Sequence, residues 1–138
     1  MTGVRAMVVT TGLGLAIALS ACGNGPPPGT GGGGGGGSAP IGVAKATGLG
    51  APAVMVTATS ADQFNPGKST AKVGQVVQWT VAQDSVPHNV TWDSDQSINS
   101  PQSIGPGQTW QVKFSVAGTY TYHCTIHPGM DGQITVGG

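Results

Sequence analysis

The sequence contains very little charge. Only 7% of its 138 residues are charged, and the five acidic residues, all of them Asp, balance five basic ones to a formal net charge of +0 at pH 7. A nucleic-acid-binding surface needs a basic patch, and an acidic tail needs a run of carboxylates. The composition provides neither, so we expect no nucleic-acid partner, and any protein partner must be recognised by shape and local contacts.

The chain also lacks an apolar run long enough to cross a membrane comfortably. The longest run, residues 6–19, follows a single early charge, Arg5, and is shorter than the roughly 20 residues of a spanning helix. This pattern is typical of a signal peptide. The run ends in Leu19-Ser20-Ala21-Cys22, which resembles the lipobox of bacterial lipoproteins. That resemblance implies a signal peptide at residues 1–21, cleavage before Cys22 and lipidation of Cys22; an ordinary signal peptidase site is the alternative.

Cysteine is scarce as well. The two cysteines are Cys22 and Cys124, and in an exported protein two cysteines would ordinarily suggest one disulfide. If Cys22 is acylated, Cys124 has no partner in the chain and is a free thiol. A lipid anchor at Cys22 would hold the protein on the outer, extracytoplasmic face of the cytoplasmic membrane.

Residues 22–52 are dominated by Gly, Pro, Ala, Ser and Thr. They include three successive prolines from Pro26 and seven successive glycines from Gly31, a composition that cannot bury an apolar core. A Gly-rich coil of this length has a root-mean-square span of roughly 30 Å. We therefore predict a flexible linker at 22–52 that joins the anchor to a folded domain at 53–138.

The predicted domain consists of short runs rich in Val, Thr and aromatic residues, separated by Gly, Pro, Asn and Asp. No amphipathic helical stretch of useful length interrupts them. The runs predicted as strands are residues 53–59, 70–73, 76–82, 88–93, 108–115, 119–124 and 133–136. About seven to eight short strands with turn signals between them indicate an all-β fold, a β-sandwich.

Alternation along these runs predicts which side chains face the core. His88 shares the inward side of its run with Val90 and Trp92, although a lone buried histidine is more often a hydrogen-bonded core residue than a ligand. His123 should point outward. The other sets predicted to point inward are Val77, Trp79 and Val81; Trp110, Val112 and Phe114; and Tyr120, Tyr122 and Cys124, with Tyr120 either a tyrosine corner or simple aromatic core.

Metal-donor side chains are concentrated in the segment 124–130. Cys124, His127 and Met130 are spaced three residues apart. Thiolate and thioether suit Cu(I), and a His2Cys set with a weak axial Met is the donor set of electron-transfer copper sites. Zinc would accept the His2Cys donors, but the thioether offers it nothing. A surface-loop histidine at His127 and a core-filling methionine at Met130 are the alternatives.

The chain from about residue 54 to residue 136 resembles a cupredoxin, a blue (type 1) copper protein, of the plastocyanin and amicyanin type. The resemblance implies a Greek-key β-sandwich with one type 1 copper per chain, held by His88, Cys124, His127 and, axially, Met130. The matching segments are Phe64-Asn65-Pro66, Val73-Gly74, Val77-Gln78-Trp79, Val86-Pro87-His88-Asn89-Val90, Gly118-Thr119-Tyr120 and the loop from Cys124 to Met130.

The resemblance also implies how the two ligand loops are joined. Asn89 would tie the upstream loop to the ligand loop, with its backbone N–H on the Cys124 sulfur and its side chain on Thr125. Such outer contacts orient the ligands and tune the reduction potential.

The donor set favours electron transfer over catalysis, because four protein donors leave no open position for a substrate. The three histidines form no His-x-His pair of the kind that multicopper oxidases require, so we predict no enzymatic activity. We expect a membrane-tethered monomer that exchanges electrons with redox partner proteins at an exposed edge near His127. The outward-facing His123 is either a surface histidine without a role or a second electron route. The alternatives are a copper-delivery lipoprotein and a metal-free sandwich with a Cys22–Cys124 disulfide.

Overall fold

The structure, a computed structural model, describes residues 41–138. The predicted signal peptide, Cys22 and most of the predicted linker lie outside the described residues. Within the described range, no helix is long and apolar enough to span a membrane. The strands are β1 (Gly42–Lys45), β2 (Val54–Ala58), β3 (Phe64–Asn65), β4 (Lys68–Lys72), β5 (Val76–Val81), β6 (Thr91–Trp92), β7 (Thr109–Phe114), β8 (Gly118–His123) and β9 (Asp131–Gly137), and a short 3-10 helix spans Gln96–Ile98.

The strands form two sheets. One has the order β1-β7-β5-β2-β3 and the other the order β4-β9-β8-β6. Neighbouring strands are antiparallel except for the parallel pairs β2–β5 and β4–β9. The predicted all-β sandwich is confirmed, with nine strands in the described part of the chain where seven to eight were predicted.

Strand β1 corrects the predicted linker over its last part. Gly42–Lys45 lies inside the segment 22–52 and pairs with β7, from Gly42 opposite Phe114 to Lys45 opposite Gln111. A Cβ at Gly42 would lie 2.8 Å from the Lys113 carbonyl oxygen, so the close approach of the two backbones requires glycine there. Backbone pairing rather than large apolar side chains holds this edge strand, and composition does not reveal such pairing.

The chain that follows β1 is fastened to the outer face of the first sheet by Gln111. Its Oε1 accepts a hydrogen bond from the Leu49 N–H at 2.9 Å, and its Nε2 donates to the Gly50 carbonyl at 3.2 Å and to Gln78 Oε1 at 2.9 Å. Gln111 lies on the side of β7 opposite the core, as predicted, yet it is only 4% exposed because this segment covers it. The sandwich therefore includes residues well before 53.

The space between the sheets is filled by aromatic side chains. Trp79 packs edge-on against Trp92 and Tyr122, at ring-centroid distances of 5.6 and 5.4 Å, and the three side chains predicted to face inward on each of β5, β7 and the β8 run are all buried. The Tyr120 hydroxyl donates to the Val116 carbonyl at 3.0 Å, the contact of a tyrosine corner. Edge-to-face aromatic pairs add about 0.5–1.5 kcal/mol each beyond area burial, so this core is a firm base for the strand end at Cys124.

Four connections meet at one end of the sandwich. They are residues 59–63 after β2, 82–90 between β5 and β6, 99–108 before β7 and 124–130 between β8 and β9; we call them the metal-end loops. The last of them carries three of the four predicted ligands, and the second carries the fourth.

Candidate metal centre

Cys124 directly follows β8 and begins a closed loop. Its N–H donates to the Met130 carbonyl at 2.9 Å, and the Met130 N–H donates to the His127 carbonyl at 3.3 Å. Gly129 has a φ of +82°, a left-handed conformation that glycine adopts at little cost. Cys124 is 3% exposed and is a free thiol. The loop thus returns Met130 beside the residue from which it started.

His88 reaches the same place from the connection between β5 and β6. Its backbone forms an isolated bridge with Ile104: the His88 N–H donates to the Ile104 carbonyl at 3.1 Å, and the Ile104 N–H donates back at 2.8 Å. The predicted strand at 88–93 is therefore shorter than expected, because the backbone of His88 pairs with a loop and β6 begins only at Thr91. The predicted inward direction of His88 is confirmed, since the residue is 1% exposed.

The side chains of His88, Cys124 and His127 converge. The Cys124 Sγ lies 3.8 Å from His88 Nδ1 and 3.7 Å from His127 Nδ1, and the three ligand atoms lie within 4.8 Å of one another. Met130, 1% exposed, completes a His-Cys-His-Met set. The four side chains are arranged as in a type 1 copper site.

The spacing fits a first-row metal ion. Metal–sulfur and metal–nitrogen bonds of about 2.3 and 2.0–2.1 Å, at an angle between tetrahedral and trigonal, place sulfur and nitrogen about 3.7 Å apart. The two sulfur–nitrogen distances in the site match this value. Thiolate, two imidazoles and a thioether are the donors of electron-transfer copper sites, so the residues fit copper.

The protonation state of His88 suits a ligand. Burial, and secondly the nearby His127, lower the pKa of His88 below its ordinary value, while Asp62 acts in the opposite sense. Both main causes disfavour the imidazolium form. The ring is therefore neutral at neutral pH, and one of its two nitrogens has a lone pair available to a metal.

Asn89 joins the two ligand loops. Its backbone N–H donates to Cys124 Sγ at 3.4 Å, and its Nδ2 donates to Thr125 Oγ1 at 2.7 Å. The Thr125 N–H donates to Asn89 Oδ1 at 2.9 Å, and Nδ2 also donates to the Gln102 carbonyl at 3.1 Å. Both contacts implied by the family resemblance are present in the structure.

Two further side chains contact the imidazoles, and the sequence analysis missed both. Ser85 Oγ lies 2.9 Å from His88 Nε2. Asp62 Oδ1 lies 3.7 Å from His127 Nε2. Ser85 lies outside the matching motif, and Asp62 is brought to His127 from a separate loop, so only the three-dimensional arrangement reveals them.

His123 does not join the site. Its ring points outward, as predicted, and its Nδ1 lies 2.8 Å from Asp93 Oδ1. The Asp93 carboxylate also accepts a hydrogen bond from Thr121 Oγ1 at 2.5 Å. The His123 ring therefore contacts Asp93 on the outer face of the second sheet.

The metal-end loops leave one ligand near solvent. The His127 side chain is 19% exposed, whereas His88 is buried, and the apolar side chains of Val86 and Ile126 are exposed on the same loops. These loops contain two acidic residues, Asp62 and Asp84, and no Lys or Arg. The surface around the partly exposed His127 is therefore apolar, with acidic residues on the same loops.

Comparison with protein families gives the same result as the geometry. Residues 52–137 match the family described as copper binding proteins, plastocyanin/azurin family. The matched segment is more than half of the chain and contains every predicted ligand.

The relatives include plastocyanins and amicyanins. Plastocyanin from Scenedesmus fuscus is 36% identical over 84 residues, which cover 53% of this chain and 85% of the relative. Amicyanin-alpha from Methylorubrum extorquens is 36% identical over 78 residues, which cover 54% of this chain and 64% of the relative. A solved structure of an amicyanin variant in its reduced Cu(I) form at pH 4 superimposes with a TM-score of 0.57 and 26% identity, over 67% of this chain and 97% of that one.

Proposed function

Because the chain belongs to the plastocyanin/azurin family of copper-binding proteins, we propose that it is an electron carrier whose His88, Cys124, His127 and Met130 hold one copper ion. Copper supplies a centre that exchanges one electron at a time between Cu(II) and Cu(I). The observation that carries this proposal is the convergence of two imidazole nitrogens and a buried free thiol within 4.8 Å.

The surroundings of the donors favour electron transfer over catalysis. The short loop closes on itself between Cys124 and Met130, and Asn89 ties it to the loop that carries His88. A site held in this way keeps its donor positions in both oxidation states, and four protein donors leave no open position for a substrate. We therefore propose that the chain is not an enzyme.

Electrons would enter and leave at His127. It is the one histidine of the set that reaches the surface, and the exposed side chains of Val86 and Ile126 lie on the same loops. A redox partner protein that covers this apolar edge would bring its own cofactor close to the ligand. We propose that the chain docks as a monomer on such partners.

Copper binding is tested by adding Cu(II) to the purified full chain. We expect an intense blue thiolate-to-copper absorption band at one copper per chain, lost in Cys124→Ser and kept in Cys22→Ser, which removes the other cysteine. An unmodified protein that stays colourless, or a band that survives Cys124→Ser, would disprove the assignment.

A copper-delivery lipoprotein is the alternative, and the burial of the donors argues against it. A protein that passes metal on exposes its donors, whereas His88 and Cys124 are almost wholly buried. The two functions differ in exchange rate. We expect a competing Cu(I) chelator to remove copper from this site slowly, over hours, and removal within seconds would favour delivery.

We further propose that the chain is a lipoprotein on the outer face of the cytoplasmic membrane, tethered through Cys22. The supporting observation is the sequence Leu19-Ser20-Ala21-Cys22 after an apolar run. Mass spectrometry of the membrane-extracted protein should find a diacylglyceryl group on Cys22. An unmodified Cys22, or one disulfide-bonded to Cys124, would disprove the tether.

A further inference from the structure

Both imidazoles of the metal centre are contacted at the ring nitrogen that faces away from Cys124. Ser85 Oγ lies 2.9 Å from His88 Nε2, and Asp62 Oδ1 lies 3.7 Å from His127 Nε2. We propose that Ser85 is a positioning residue that keeps Nδ1 of His88 directed at the metal, and that Asp62 adjusts the reduction potential of the site by its charge beside His127. This inference rests on the proposed copper function of the same site.

Ser85 acts on His88 through the position of one proton. A neutral imidazole carries a single N–H, so Nδ1 can donate its lone pair to a metal only when the proton is on Nε2. His88 is 1% exposed, and the Ser85 hydroxyl oxygen is close enough to Nε2 to accept a hydrogen bond from that N–H. The Ser85 N–H donates to the Ala82 carbonyl at 3.1 Å, so a turn fixes the hydroxyl three residues before the ring.

Asp62 acts on His127 by its charge. The separation of 3.7 Å is longer than a hydrogen bond, and the carboxylate is half-exposed. A nearby anion favours the oxidation state in which the metal site carries the greater positive charge. Removing the charge from Asp62 should therefore raise the reduction potential.

Asp62 lies in a hydrogen-bonded turn. Asp62 has a φ of +55°, a left-handed conformation that Asp adopts more readily than most other residues apart from glycine. Its loop is closed by the Asp62 N–H on the Thr59 carbonyl at 3.1 Å and the Thr59 N–H on the Gln63 carbonyl at 2.9 Å. The carboxylate is thus presented by a closed turn.

The role of Ser85 is tested first without any mutation. In the copper-free full chain at pH 8, ring 15N chemical shifts should show His88 as the Nε2–H tautomer. An Nδ1–H tautomer would overturn the inference for Ser85.

Variants then test whether the hydroxyl matters to the metal. Ser85→Ala should weaken copper binding by about 10–100-fold, the usual effect of losing an outer partner of a metal-bound histidine, and should alter the absorption spectrum. Ser85→Thr keeps a hydroxyl and should restore both. Wild-type affinity and spectrum in Ser85→Ala, or equal losses in Ala and Thr, would overturn the proposal. A wild-type chain that binds no copper would instead defeat the proposed function itself.

Asp62 is tested by Asp62→Asn, with Asp84→Asn as the matched control. Asp84 lies on the neighbouring loop and accepts a hydrogen bond from Ser60 at 3.3 Å, so the control removes the same charge at the same end of the molecule without facing an imidazole. Voltammetry should show a higher potential in Asp62→Asn than in the wild type, and a smaller rise in Asp84→Asn. Equal shifts, or none in Asp62→Asn, would overturn the role of Asp62.

Discussion

Replacing Asn89 by Ala tests how firmly the two ligand loops are held together. The substitution removes the side chain that bridges the loop of His88 to the loop of Cys124. It leaves in place the backbone N–H that donates to Cys124 Sγ. Any effect therefore reports on the bridge between the loops and not on the contact with the sulfur.

The magnitude follows from the three hydrogen bonds of the Asn89 side chain, two to Thr125 and one to the Gln102 carbonyl. Each contributes roughly 1 kcal/mol net. Because Thr125 is exposed, water can satisfy its freed groups and reduce the loss to about 2.5 kcal/mol. For a domain of about 100 residues, 1 kcal/mol corresponds to about 4–8 °C, so the melting temperature of the copper-free protein should fall by roughly 10–20 °C.

The assay is thermal unfolding of the copper-free chain, followed by circular dichroism. Gln102→Ala is the control, because it shortens an exposed side chain and keeps the backbone carbonyl that accepts from Asn89. We expect the control to melt within about 2 °C of the wild type. If Asn89→Ala melts at the same temperature as Gln102→Ala, the bridge between the two loops does not stabilise the domain.

Three other predictions concern the packing, the acid stability and the charge of the domain. A Cβ at Gly132 would overlap the ring of Tyr122, so Gly132→Ala should destabilise the domain by about 2 kcal/mol. Gly67→Ala is the control, because its Cβ would have only ordinary contacts, and it should lower the free energy of unfolding by less than half as much. Equal losses of stability in urea titrations would contradict the overlap. Hydrogen bonding, chiefly from Thr121, lowers the pKa of Asp93, so its contribution to stability is present above the ordinary Asp value of about 3.9 and lost as the pH falls through the lower pKa of the folded state. The melting temperatures of wild type and Asp93→Asn should therefore converge in strong acid, and a gap that persists at pH 2 would contradict this. The metal-end loops carry acidic residues and no basic ones. Lowering the salt concentration should therefore speed electron exchange with a cationic cobalt complex and slow exchange with the anion hexacyanoferrate. If the two stopped-flow rates change in the same direction, these acidic residues do not govern the exchange.

The inward-facing residues were predictable because successive side chains of a β-strand point to opposite faces of the sheet, so every second residue of a strand is buried. Val77, Trp79 and Val81 lie in a sequence whose period of two is clear, and the structure buries all three. The same alternation correctly predicted that Cys124 faces inward and His123 outward. The spacing and donor chemistry of Cys124, His127 and Met130 indicated a copper site, whereas the ligand role of His88 and the bridging role of Asn89 came from the family resemblance.

The missed features depend on contacts between distant segments. Strand β1 is held by backbone pairing with β7, and its residues carry no strong strand signal of their own. Gln111 looks like an exposed polar residue of an alternating strand until the Leu49–Gly50 segment covers it. Ser85 and Asp62 are ordinary loop residues in the sequence, and only the fold brings them to the outer nitrogens of the ligands.

The net charge of zero conceals an uneven distribution. The four lysines of the described chain lie on β1, β4 and β7, whereas the metal-end loops hold Asp62 and Asp84 without a basic neighbour on those loops. Lys72 and Lys113 are near the strand ends that point away from the site, since Lys72 pairs with Gly137 and Lys113 with Val76. With so few charges, long-range steering of a partner remains weak. Close to the surface, however, a partner that presents basic groups around an apolar centre would match the edge at His127 better than an acidic one.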